Sequence, residues 1–158
     1  MSDPYTHLHV ASGYSLQYGA SHPHVLVERA AEQEMDTLAL TDRDGTYGAV
    51  RFVKAAMAAR IRPILGVDLA FSGTPDTPMG GFEMLAGARS STTGKARTPT
   101  RGGAYRDPRL PRVTFLASGK AGWATVCRLV SATHQAGERG TPVCTPELVA
   151  EHVPIRVA

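Results

Sequence analysis

The sequence predicts an α/β fold in which parallel strands alternate with crossover helices. Short apolar runs at residues 37–41 (TLALT) and 62–71 (RPILGVDLAF) alternate with stretches whose apolar residues recur at helical spacing. The links between them are short and hold Gly, Ser and Asp. The resulting order, strand–helix–strand–helix–strand, is that of a parallel sheet with crossover helices.

Residues 5–10 (YTHLHV) are read as the first strand, followed by a turn-rich stretch at 11–22 that contains Gly13, Gly19 and several serines. Pro23 stands where a first helical residue is expected, with Ser21 or His22 as cap, and the helix is expected to reach about Met35. Its apolar half carries Leu26, Val27, Ala30, Ala31 and Met35. The run at 37–41 is a buried second strand, and Asp42–Gly45 forms the turn after it. A second helix is expected over 47–60, with Val50, Val53 and Met57 on one side and Ala49, Phe52 and Ala56 widening it. Residues 62–71 form the third strand, opened by Pro63, which is tolerated at a strand start. Right-handed crossovers place the C-terminal ends of these strands on one edge. There they gather the segments 11–15 and 42–45 and Asp68, at the edge where α/β proteins build sites.

Residues 72–112 break this rhythm. They are rich in Gly, Pro, Ser and Thr and hold seven of the chain's seventeen basic residues, Arg89, Lys95, Arg97, Arg101, Arg106, Arg109 and Arg112. This stretch is expected to be a flexible basic insertion between structured parts at 1–71 and 113–158 of one domain. Arg97, Arg101 and Arg106 are its candidate contacts to a nucleic-acid backbone. A fourth strand is expected at 113–117 and an amphipathic helix at 121–135, with Trp123, Val126, Cys127, Leu129, Val130 and Thr133 on its apolar face. Cys127 reads as a small core residue, and His134 as a partner of the helix's terminal carbonyls. Thr145-Pro-Glu opens a short last helix through about His152.

Composition sets limits on function. Apolar residues make up 42% of the 158 and aromatics only 6%, so the core must rest on Ala, Val and Leu. The first ten residues lack the basic and apolar regions of a secretory signal. No apolar run reaches membrane-spanning length. The two cysteines form no CxxC pair, which fits a reducing cytoplasm. A net charge of +3 does not by itself call for nucleic acid.

The motif that carries chemistry is His7-Leu8-His9. On a strand both imidazoles project from one face and make a chelating pair. The pieces HLHVASGYSLQYGAS, LALTDRDGTYGAVRFVKAA and IRPILGVDL, with VTFLASGKAGWATVCRLVSATHQ later, resemble the PHP (polymerase and histidinol phosphatase) domain. They look most like the PHP domain at the N-terminus of bacterial DNA polymerase III alpha subunits, including the error-prone branch. The resemblance implies a distorted βα barrel, of which this chain would be the N-terminal, truncated part. It implies metal ions, Zn, Mn or Fe, at the strand ends, with phosphoesterase or 3′–5′ exonuclease chemistry in active members. In the full-length family it implies DNA synthesis in replication or repair, with DNA and other replisome subunits as partners.

Carried over position by position, His7 and His9 match the family's first motif, and Asp68 stands where a bridging Glu is usual. Tyr18 stands in place of an aspartate, and Arg43 in place of the histidine of a TDH motif. A guanidinium cannot ligate a metal. At about 4 Å from a divalent ion it costs roughly 8 kcal/mol at an effective dielectric of ~20. Arg43 is therefore expected to pair with Asp42, Asp44 or Asp68, leaving a metal-free, inactive site. Asp42 is otherwise expected either to cap and brace its turn or to bind metal. The alternative reading is a free-standing metal-dependent phosphoesterase of the histidinol-phosphatase kind, with one ion on His7, His9 and Asp68. No polymerase carboxylate motif is present in the chain.

Overall fold

A computed structural model describes residues 5–72, 111–137 and 142–153. Among them, α1 spans Pro23–Glu32, β1 Thr37–Arg43, α2 Ala49–Ala58, β2 Arg62–Ala70, β3 Arg112–Leu116, α3 Gly119–Ala136 and α4 Pro146–His152. The strands form one sheet in the order β1-β2-β3. β1 and β2 are parallel, with Thr37 opposite Arg62 and Arg43 opposite Asp68, as the crossover through α2 requires.

β3 departs from the expected parallel arrangement. It runs antiparallel to β2, with Ala70 opposite Arg112 and Gly66 opposite Leu116. Residue 112 therefore re-enters the sheet beside residue 70, at the edge where β2 ends. A return at the same edge gives an antiparallel neighbour, whereas a parallel one requires a crossover to the opposite edge.

The segment 5–10 is also not a strand. It lies along β1, where Ala39 N–H donates to the His7 carbonyl at 3.0 Å and Thr41 N–H to the Val10 carbonyl at 2.8 Å. The Val10 N–H, however, donates to the Thr41 hydroxyl at 2.9 Å instead of a backbone carbonyl, so no regular ladder forms. His7, Leu8 and His9 are exposed.

Two apolar clusters carry the fold. The first joins Val27 and Ala30 of α1, Leu38 and Leu40 of β1, Phe52 and Ala56 of α2, and Ile61. On α2 the buried stripe is Ala49, Phe52 and Ala56, while Val50 and Met57 are exposed. Phe52 is the bulky group of this helix, and its small alanine neighbours let α2 approach closely enough to seat the ring. The second cluster joins Val67 and Leu69 of β2, Val126 and Leu129 of α3, and Cys144. β2 links the two, since Leu65 packs against the first cluster and Val67 and Leu69 belong to the second.

Beyond β1, residue 144 takes up β2's remaining backbone groups. Cys144 N–H donates to the Ala70 carbonyl at 2.8 Å, and Ser72 N–H to the Cys144 carbonyl at 3.0 Å. α4 follows, opened at Thr145-Pro-Glu as expected and capped by the Thr145 hydroxyl, which accepts from Leu148 N–H. No helix among the described residues is long and apolar enough to cross a membrane.

Removal of the Phe52 ring is expected to cost about 3–5 kcal/mol, because Phe52→Ala leaves a cavity in the first cluster. Val50→Ala is expected to stay within about 0.5 kcal/mol. Urea denaturation of the two variants reads the difference, and equal losses would contradict the assignment of the buried stripe. Burial pushes both the Cys127 and Cys144 thiols up. The folded state thus keeps them protonated where the unfolded chain ionises them. Stability should fall as pH rises through the thiol range, and both should alkylate more slowly in the folded protein than in urea.

Candidate functional site

The C-terminal ends of β1 and β2 bury two carboxylates, Asp42 and Asp68, at 1% and 3% exposure. The chain satisfies them in different ways. Asp42 is held by the turn-rich stretch that follows residue 10. Its Oδ1 accepts from Ser12 N–H at 2.7 Å, Ser12 Oγ at 2.8 Å and Ser15 Oγ at 2.8 Å, and its Oδ2 lies 2.9 Å from Ser12 Oγ. Ser15 Oγ in turn accepts from Arg43 N–H at 2.9 Å. Gly48 completes the enclosure, because a Cβ there would lie 2.6 Å from Asp42 Oδ2. Asp42 is therefore the brace of the turn, locking 12–15 onto the end of β1.

Asp68 is met by Arg112. The sheet register places Asp68 opposite Thr114 and Ala70 opposite Arg112, so Arg112 lies two residues along on the face that Asp68 occupies. Its Nε donates to Asp68 Oδ2 at 2.7 Å, and its Nη2 donates to Asp44 Oδ1 at 2.9 Å and to the Asp68 carbonyl at 2.6 Å. The side chains of Arg112 and Asp68 are only 16% and 5% exposed. Burial works against the charged guanidinium, but its bonds to Asp44 and Asp68 outweigh that and hold its pKa above the usual arginine value.

Asp44 is the hinge of this arrangement. Its backbone is left-handed, at φ 54°, a region that Asp tolerates better than most residues. In that conformation its N–H donates to the Asp68 carbonyl at 2.8 Å. Its Oδ1 accepts from Ala70 N–H at 3.2 Å as well as from Arg112. Its own carbonyl lies 2.6 Å from His134 Nε2. A carbonyl only accepts, so that nitrogen carries the hydrogen. His134 thus ties the last turn of α3 to the β1–α2 link, instead of binding its own helix's terminal carbonyls as expected.

The residues that the sequence marked out are divided among these features. His9 reaches the site, with Nε2 3.7 Å from Asp68 Oδ2, the oxygen that also accepts from Arg112. His7 packs edge-on against Tyr5, with centroids 4.7 Å apart. Arg43 and Tyr18, the two substituted positions, meet each other: the Arg43 guanidinium carbon lies 3.4 Å from the centre of the Tyr18 ring. This is a cation–π contact, a class worth roughly 0.5–2 kcal/mol. The cation expected on Asp68 and Asp44 is present, but it is supplied by Arg112, which the sequence grouped with the basic insertion. Arg97, Arg101 and Arg106 lie outside the described residues.

Among the described residues no three His, Cys, Asp or Glu side chains come together as a group that could hold an ion. The Asp68 oxygen nearest His9 is engaged by a guanidinium. Ser12 and Ser15, which brace Asp42, and Asp44, His134 and Arg112 were not marked as site residues by the sequence. The serines stood visibly in a turn. Arg112, 44 positions from Asp68, carried no local signal.

The chain matches the PHP domain over residues 7–155. It is 35% identical to an error-prone DNA polymerase of Nocardia farcinica, over 148 residues that make up 87% of this chain and 13% of that protein. It is 37% identical over 139 residues to an error-prone DNA polymerase of Mycobacterium tuberculosis, covering 87% of this chain and 10% of the relative. The chain thus spans little more than a tenth of the length of these relatives. Among solved structures, an amidohydrolase from Chromobacterium violaceum, recorded with sulfate and no metal, is 36% identical at a TM-score of 0.40. That likeness covers 42% of this chain and 23% of the other.

Asp42→Ala is expected to cost roughly 3 kcal/mol or more, since it strands the Ser12 N–H and two hydroxyls in a buried place. Ser15→Ala, which removes one arm of the same brace, should cost about 1 kcal/mol. Equal losses in urea denaturation would show that Asp42 does not organise the turn.

Proposed function

The chain belongs to the PHP domain family, and on that premise we propose that it acts as the PHP region of an error-prone-type DNA polymerase, as a structural element and not as a phosphoesterase. Its contribution to DNA synthesis in replication or repair is then to hold the shape of that region. The chemistry of polymerisation and the contacts to DNA and other replisome subunits belong to the larger protein, in the cytoplasm. The relatives named error-prone DNA polymerase, aligned over most of the chain, support this reading.

One observation carries the structural role. At the two positions where the family pattern has a histidine and an aspartate, this chain has Arg43 and Tyr18, and they stack on each other. Neither side chain is a ligand in that pairing. His7, His9 and Asp68 are what remains of the pattern, and of these His9 and Asp68 are brought within 3.7 Å. That remnant is the basis of the alternative reading, a phosphoesterase holding a single Zn, Mn or Fe ion. Arg97, Arg101 and Arg106 stand as candidate contacts to the phosphate backbone, with a salt-dependent and sequence-blind character.

Elemental analysis of the purified chain should find well under one Zn, Mn or Fe per molecule. A chromogenic phosphodiester should be hydrolysed no faster with added Mn²⁺ or Zn²⁺ than in buffer. One bound ion per chain together with metal-dependent hydrolysis would overturn the structural role in favour of the phosphoesterase.

A further inference from the structure

The geometry points to Arg112 as a built-in cation: its guanidinium occupies the space among Asp68, Asp44 and His9, and it excludes a metal ion there by competition. The proposal rests on the metal-free reading above and names the group responsible. Three facts support it. Arg112 is anchored at the strand ends by contacts of 2.7, 2.9 and 2.6 Å to Asp68 Oδ2, Asp44 Oδ1 and the Asp68 carbonyl. It comes from β3, which the antiparallel register delivers to the face of Asp68. The third ligand-type side chain, His9, stops 3.7 Å from the same carboxylate oxygen that Arg112 holds.

A planar fork suits this seat. It bonds two carboxylates and a carbonyl at once through donors fixed in one plane, a geometry that the compact point charge of an ammonium lacks. With Arg112 in place the Asp68 and Asp44 oxygens are bonded to a guanidinium, and a divalent ion at those oxygens would meet its positive charge. Without it, Asp68 is left buried with its negative charge uncompensated. Asp44 and His9, 30% and 66% exposed in their side chains, then have room to close toward a new cation.

The test compares thermal melting of the full chain as wild type, Arg112→Gln, Arg112→Lys and Arg112→Gln/Asp68→Asn, each in chelator, in Zn²⁺ and in Mn²⁺. The wild type should melt at one temperature in all three conditions. Arg112→Gln should melt lower in chelator and regain at least half of the loss with one of the ions. Adding Asp68→Asn should abolish that recovery. Arg112→Lys, which keeps the charge without the fork, should fall between wild type and Arg112→Gln. If Arg112→Gln does not fold in chelator, recovery of its far-ultraviolet dichroism on adding the ion reads the same effect. An Arg112→Gln variant that melts lower and is restored by neither ion overturns the proposal and leaves the function reading standing. An ion that stabilises the wild type as much as the variant overturns both.

Discussion

Burial of carboxylates at the ends of two adjacent parallel strands is the constraint on which this structure depends. An ionised carboxylate away from water needs hydrogen bonds or an opposite charge. The chain answers with serines at Asp42 and with a guanidinium at Asp68. Each answer recruits a segment distant in sequence. The serines fix the stretch after residue 10 against β1. Arg112 fixes β3 against the β1–α2 link through Asp44. His134 then joins α3 to the same link. Four separate parts of the chain converge on the strand ends because the acids there must be satisfied.

The same convergence bears on function. The family to which the chain belongs is one whose site the sequence resemblance places at these strand ends. Here the positions Tyr18 and Arg43 have become partners of one another, and the carboxylate of Asp68 has a partner in Arg112. Interactions of this kind hold backbone segments together.

Much of the scaffold was legible in the sequence because its signals are local. Pro23 at a helix start, Thr145-Pro-Glu at the opening of the last helix and the apolar run before Asp42 each act within a few residues. The site was legible only in part. The HxH motif suggested a strand, but the segment bonds to β1 through the carbonyls of residues 7 and 10, three apart, and a threonine hydroxyl, a detail that side-chain alternation does not encode. The direction of β3 depends on where the chain re-enters the sheet, and composition carries no record of that. Arg112 looked like one more basic residue in a polar stretch, and only the pairing of Ala70 with Arg112 gives it a carboxylate to hold. On α2 the helical period put Val50, Val53 and Met57 at the centre of the apolar side, but Val50 and Met57 are exposed and the buried stripe is the one that carries Phe52.

The most direct test of the central claim is anomalous diffraction from crystals of the wild-type chain grown with manganese. The account predicts no anomalous peak between His9 and Asp68, and a guanidinium nitrogen of Arg112 within hydrogen-bond distance of the Asp68 carboxylate. A manganese peak at that carboxylate, with Arg112 turned away from it, would contradict the account.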